Sequence, residues 1–334
     1  MPVTTDNNRM DCFTMNMTIA IFLEQRIPSF CVKARQVGRL REMFPAVTFV
    51  WCRSAEAFLR ALPGVTVALT NTFRPEWFGN APKLRYILCP AAGRDVLNPV
   101  PLVPPPEVYI HYGTFHGRLM AETVAGLMLA FNRGILRAYK EQLAGNLWPA
   151  DPLCDPGACR VLRGSRAVIV GFGNLGQWIS KTLIPLGVNV TGLRRTPPDV
   201  RPHWFRPGDR VMSVTLLDAV LPTLDHLILA LPSEASTDRL IGARQLARLP
   251  RHAVIYNVGR GNCIDEAALA ETLAARRISG ACLDVFAEEP LTRTSPLSVN
   301  LPGLVRMPHA SAYGDMYLDF FLDEVIPIIR TVTR

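Results

Sequence analysis

Val168-Ile169-Val170-Gly171-Phe172-Gly173-Asn174-Leu175-Gly176-Gln177-Trp178 joins an apolar run to a glycine turn and then to a helix-like stretch. Gly171, Gly173 and Gly176 fall in the G-x-G-x-x-G spacing. A strand over 167–170, a helix over 175–186 and a second strand over 188–193 surround the turn, and that context gives the spacing its meaning. The first glycine permits a tight turn. The second lets the backbone approach a pyrophosphate, and the third lets helix and strand pack closely, with the helix N-terminus facing the anion. A turn made only for packing would not need all four elements in register.

The end of the second strand distinguishes between dinucleotides. An acidic residue about 20 positions past the turn accepts from the adenine ribose hydroxyls in NAD enzymes. Here Arg194 stands 18 residues after Gly176, followed by Arg195 and Thr196. A guanidinium cannot accept from a hydroxyl but can pair with a 2′-phosphate. This favours NADP(H) and leaves NAD(H) open.

Further strands are expected at 227–231, 254–257, 281–285 and 304–307, with helical stretches at 237–249 and 266–276. Strand and helix alternate here as in a doubly wound parallel sheet, the Rossmann arrangement. The first third also alternates: strands at 17–23, 47–51, 65–69 and 86–89, helices at 34–43 and 55–62. Prolines 99, 101, 104, 105 and 106 then read as a connection. Met120, Val124, Leu127, Met128, Phe131 and Ile135 put one apolar face on a single long helix over 118–143, with Gly145 ending it. A last helix is expected over 313–333, and residues 1–16 read as a loose tail.

The 334 residues suit two domains. With 49% hydrophobic and 19% charged residues, the chain does not read as disordered. No apolar run reaches the ~18 residues of a membrane helix, and the N-terminus lacks the pattern of a secretory signal. The eight cysteines form no C-x-x-C pair and no zinc set, and read as free thiols of a cytoplasmic protein; no metal site is expected. The net charge of +8 is spread along the chain with no basic block, which argues against a nucleic-acid partner.

Three polar groups follow three C-terminal strands: Arg260 in Asn257-Val258-Gly259-Arg260-Gly261, Glu289 in Leu283-Asp284-Val285-Phe286-Ala287-Glu288-Glu289-Pro290, and His309 in Met307-Pro308-His309-Ala310-Ser311. Open α/β sheets build their sites at that end. Reduction of a 2-keto acid needs such a set. An arginine forks the carboxylate and polarises the ketone, a histidine gives the proton, and a carboxylate keeps the imidazole oriented and protonated.

With these stretches in this order, the chain resembles the D-isomer-specific 2-hydroxyacid dehydrogenase family, of the glyoxylate/hydroxypyruvate reductase kind. Residues 82–99, 121–135 and 227–241 carry the resemblance further. It implies a Rossmann domain over 117–309, inserted into a smaller flavodoxin-like α/β substrate domain made of 1–116 and 310–334. It implies a catalytic trio of Arg260, Glu289 and His309. Substrate contacts are implied from Ala92, Gly93, Arg94 and Arg260. Cofactor contacts are implied from Gly171, Gly173, Asn174, Leu175 and Gly176, from Arg194, Arg195 and Thr196, and from Leu231, Pro232, Thr237, Val258 and Asp284. A small-molecule acid as partner, no membrane and a homodimer complete the expectation. Arg94 replaces the usual small apolar residue of the substrate loop.

Alternatives within the same fold are a formate dehydrogenase, whose histidine pairs with Gln rather than with an acid such as Glu289, and a phosphite or other small-anion dehydrogenase. A nucleotide-binding corepressor of the same fold would carry long disordered tails.

Overall fold

Val168 and Val170 pack into one apolar cluster, and Ala167 and Ile169 into another, so consecutive residues of one strand serve two cores. A strand buried on both faces needs helices on both sides of its sheet. In the computed structural model, which describes residues 17–25, 27–93, 97, 102–154, 159–198 and 200–333, that strand is central to a seven-stranded sheet.

The chain divides into two compact units: Thr114–Gly314, and Met1–Gly113 together with Asp315–Arg334. In the first, β6 (Arg166–Val170), β7 (Asn189–Arg194), β8 (Arg210–Ser213), β9 (His226–Leu229), β10 (Val254–Asn257), β11 (Gly280–Leu283) and β12 (Leu304–Arg306) are ordered β12-β11-β10-β9-β6-β7-β8. Every pairing is parallel. The strand order reverses between β6 and β9, which makes the switch point of a doubly wound sheet.

In the second unit β1 (Thr18–Phe22), β2 (Thr48–Trp51), β3 (Val67–Thr70), β4 (Tyr86–Cys89) and β5 (Tyr109–Tyr112) run parallel in the order β2-β1-β3-β4-β5, the flavodoxin-like order. The last helix, Tyr317–Val332, joins this unit through Asp319, which takes Arg35 at 2.7 Å and Gln36 at 3.0 Å, and through Glu324, 2.7 Å from His111.

The expected long helix over 118–143 is two helices, His116–Asn132 and Ile135–Leu143, bent by 70°. Gly134, at φ +68°, takes the left-handed conformation that stops the first helix. The expected helix over 237–249 is a 3-10 turn, Ala235–Thr237, and a short helix, Ala243–Leu246. Strands β5 and β8 have no counterpart in the sequence pattern. Both are four-residue edge strands, too short and too exposed to show a period. The tail 1–16 and Arg94 lie outside the described residues. Among the described residues no single helix is long and apolar enough to cross a membrane.

Candidate active site

The seven parallel strands of the larger sheet end side by side, and every sequence-flagged residue of this unit lies at or beyond the ends of these strands. After β6, Gly171 has φ +95°, and a Cβ there would lie 2.4 Å from the Ala230 carbonyl oxygen at the end of β9. A Cβ on Gly176 would lie 2.5 Å from the Gly171 carbonyl oxygen. These two glycines are therefore required by the protein's own packing. Gly173 is different: a Cβ there meets nothing within 4 Å. Gly173 is the N-cap of the helix Asn174–Leu183, a position glycine suits, and the space left open above it among the described residues gives room for a closely approaching phosphate. Asn174 begins the helix Asn174–Leu183 and donates from Nδ2 to the Thr114 carbonyl at 3.1 Å. Leu175 packs beside the core under the turn.

Arg194 closes β7 and makes no ion pair among the described residues. It lines a cavity of about 320 Å³ with Arg201, His203 and Trp204. Arg195 is held differently, 3.3 Å from Glu234, and Thr196 is exposed.

Arg260 leaves β10 on a turn built by Asn257. Its Oδ1 accepts from Gly259 N at 3.1 Å and its Nδ2 donates to the Arg260 carbonyl at 2.9 Å. The guanidinium reaches only the Gly259 carbonyl, at 2.9 Å, and pairs with no carboxylate among the described residues. A cation so placed is open to an anion from outside.

His309 leaves β12. Its Nδ1 lies 2.7 Å from Glu289 Oε2, while Glu289 Oε1 accepts from Phe286 N at 2.9 Å. The carboxylate is thus fixed at both oxygens, and it fixes the imidazole. Nε2 has no partner among the described residues, and the His309 side chain is 52% exposed. The backbone at His309 is left-handed, φ +53°, a costly conformation for a residue with a Cβ.

Asp284 maintains that conformation. It is buried, and its carboxylate accepts from Ala310 N at 2.7 Å, from Ser311 N at 3.0 Å and from the Ser311 hydroxyl. Its carbonyl accepts from His309 N at 2.9 Å. Neighbouring parallel strands lie about 4.8 Å apart, so the ends of β10 and β12 stand about 10 Å apart, with Glu289 on the loop from β11 between them. The arrangement can fork a carboxylate and move one proton at Nε2.

The sequence profile of the D-isomer specific 2-hydroxyacid dehydrogenase NAD binding domain matches residues 125–311. The chain belongs to the D-isomer-specific 2-hydroxyacid dehydrogenase family. It is 32% identical to glyoxylate/hydroxypyruvate reductase B of Pectobacterium atrosepticum over 70% of this chain and 71% of that one. A family protein from Aeromonas salmonicida superposes with a TM-score of 0.74 at 27% identity, over 95% of this chain and 96% of that one. An NADPH-dependent glyoxylate/hydroxypyruvate reductase from Sinorhizobium meliloti, solved with NADP and sulfate, gives 0.71 at 25% identity, over 94% and 95%. The chain is accordingly an NAD(P)-dependent oxidoreductase that moves a hydride between a nicotinamide dinucleotide and a small 2-keto or 2-hydroxy acid.

Other residues that the family resemblance points to are engaged within the protein. Thr237 is buried; its hydroxyl donates to the Pro232 carbonyl at 2.8 Å and accepts from Glu234 N at 3.0 Å, shaping the loop after β9. Val258 is a core residue, and Leu231 packs against the core. Asp284 has its carboxylate occupied by the His309–Ser311 turn. In the other unit, Ala92 and Gly93 follow β4 just past its C-terminal end.

Sequence reasoning missed Asn257 and Gly261. The Asn-x-Gly spacing is a recognisable side-chain-to-backbone turn. At Gly261 a Cβ would lie 1.9 Å from the Phe286 carbonyl carbon, so the Arg260 turn lies directly against the Glu289 loop. No local pattern carries that contact.

Proposed function

We propose that this dehydrogenase reduces a small 2-keto acid of the glyoxylate or hydroxypyruvate class, with NADPH preferred to NADH. One observation carries the reading: the Glu289–His309 pair at 2.7 Å, at the same end of the sheet as Arg260, where among the described residues Nε2 has no partner and the arginine no acidic one. Arg260 forks the substrate carboxylate and draws electron density from the keto oxygen. His309 holds a proton at Nε2 and gives it to that oxygen, while Glu289 keeps Nδ1–H in place and so fixes the orientation of the ring. NADPH, when bound, supplies the hydride that completes the alcohol. Thr114–Gly314 is the dinucleotide unit in this reading, and the other unit, with Ala92 and Gly93, binds substrate. The open space at Gly173 and Arg194, which has no ion-pair partner among the described residues, support a pyrophosphate and a 2′-phosphate respectively.

The protein works as a homodimer in this proposal. Ile135, Tyr139 and Leu143 recur four residues apart on one helix and are all exposed, with exposed Leu147 and Trp148 following. An apolar stripe of that kind calls for a covering surface, here that of a second copy. The seven described free cysteines suit a cytoplasmic setting.

Steady-state assays with NADPH and NADH against glyoxylate, hydroxypyruvate and larger 2-keto acids test the activity. Turnover of the two small acids, faster with NADPH, is expected. Dinucleotide binding without turnover of any 2-keto acid would overturn the proposal. Light scattering at micromolar concentration tests the assembly: wild type should be a dimer, and Tyr139→Glu a monomer.

A further inference from the structure

Glu266 touches neither member of the proton-handling pair, yet its carboxylate links two segments of the site. It is the first residue of the helix Glu266–Ala274, which follows the Arg260 turn by way of Asp265, the residue that caps the helix by accepting from Ala268 N at 3.0 Å. Glu266 Oε1 accepts from Ala287 N at 2.8 Å, and Oε2 accepts from the Ser295 hydroxyl at 3.2 Å. Ala287 and Ser295 bracket Glu289 in a stretch that has no helix or strand between β11 and β12. That stretch cannot hold its shape by backbone ladders, so side-chain anchors must do it.

The anchors lie on both sides. Phe286 N donates to Glu289 Oε1, and the neighbouring amide, Ala287 N, donates to Glu266. The absent side chain at Gly261 lets the Arg260 turn close onto Phe286 and Ala287. We infer that Glu266 is a positioning residue: a strut that fixes the Glu289 loop against the helix following Arg260, and so sets the aim of Glu289 at His309. This rests on the trio proposed above. It adds a fourth residue that acts only through Glu289.

Small displacements of a catalytic group are expensive in rate: about 1 Å can cost on the order of 100-fold. Glu266→Ala removes both anchors. The expected loss in kcat is about 10- to 100-fold, with the dissociation constant for NADPH unchanged. Glu266→Gln keeps an oxygen for Ala287 N and an amide to donate to the Ser295 hydroxyl, so it should restore most of kcat. Glu266→Asp withdraws the carboxylate by one methylene and serves as the second variant if the alanine protein does not fold.

The decisive measurement repeats the substitution in a Glu289→Ala background. A residue acting only through Glu289 has nothing left to aim, so Glu266→Ala should then change kcat by less than about twofold. Equal losses in both backgrounds would show that Glu266 acts independently, and the strut would be wrong. An unchanged kcat in Glu266→Ala would also overturn it. If Glu289→Ala alone leaves kcat intact, the trio fails instead, and the two failures are told apart.

Discussion

The two ends of the seven-stranded sheet carry the same kinds of side chain and use them oppositely. At the C-terminal ends stand Arg260, Glu289 and His309. At or near the N-terminal ends stand Arg160, Arg166, Asp225, His226 and His252. Asp225 is buried and fully engaged: Arg166 N donates to it at 2.8 Å and Arg160 at 3.1 Å, and His252 Nε2 lies 2.9 Å away, within ion-pair distance though not aligned as a hydrogen bond. Burial alone would raise the Asp225 pKa, but these donors and cations together hold it below its ordinary value. At the other end Arg260 has no acidic partner among the described residues, and His309 keeps one nitrogen open. A cluster whose charges satisfy one another supports the fold. A cluster whose open valences face solvent, as at the half-exposed His309, is available for chemistry, whereas the unpartnered Nε2 of His226 is buried.

The sharpest way to break this contrast is to delete the open histidine. His309→Ala should lower kcat by about 10²–10⁴, the usual worth of a positioned acid. The unfolding midpoint should move little, because the side chain is half exposed. A large loss of stability with kcat per folded molecule intact would reverse the assignment of the two ends.

Asp225→Ala is the mirror experiment. It strips a buried carboxylate from two arginines and a histidine, and breaking a buried pair costs roughly 3–5 kcal/mol. Arg160 and His252 are partly exposed and regain some hydration, so about 3 kcal/mol is expected. Denaturant titration reads the loss, and kcat per folded molecule should hold. A variant as stable as wild type would mean that the cluster contributes nothing to the fold.

The same contrast explains what could be read in advance. The glycine turn was legible because each element of the motif lies within eleven residues, and Arg194 because its distance from the turn is fixed by one helix and one strand. Arg260, Glu289 and His309 were legible as residues placed just past strand ends. Asp225 was not, since its partners lie 65, 59 and 27 positions away and nothing local marks them. Asp284 shows the limit most clearly. Resemblance points it at the cofactor, while its carboxylate is occupied by amides 26 and 27 residues on. The break at Gly134 was missed because an apolar stripe with helical period runs straight across it.

Arg194→Asp sharpens the reading of the C-terminal edge. It removes the cation available to a 2′-phosphate and supplies an acceptor for ribose hydroxyls. The ratio of kcat/KM for NADPH to that for NADH should fall by about 10- to 100-fold, with each good charged contact worth roughly 1.5–3 kcal/mol. Equal kinetics in variant and wild type would place the adenosine end elsewhere.

The smallest effect comes from His226, at the N-terminal end. It is almost wholly buried, with Nδ1 3.2 Å from the Tyr256 hydroxyl and Nε2 unpartnered among the described residues. Burial pushes its pKa down to about 4; Asp225 pulls the other way, and Arg160 and His252 add to the lowering. In the unfolded chain it returns to about 6.5. Between these values the unfolded chain binds the proton and the folded chain does not, so stability falls as pH falls. The contribution is whole above about pH 6.5, declines towards pH 4 and is flat below it. Between pH 7 and 5.5 the loss amounts to about 1 kcal/mol. Asp225, with its lowered pKa, acts in a separate and more acid window, below the ordinary carboxylate value. His226→Gln keeps a polar group beside Tyr256 but cannot titrate, so the fall in unfolding free energy from pH 7 to 5.5 should shrink by that amount. Identical slopes in wild type and variant would mean that His226 is not held neutral, and the N-terminal end would lose its description as a cluster gathered in the interior around the buried Asp225 carboxylate.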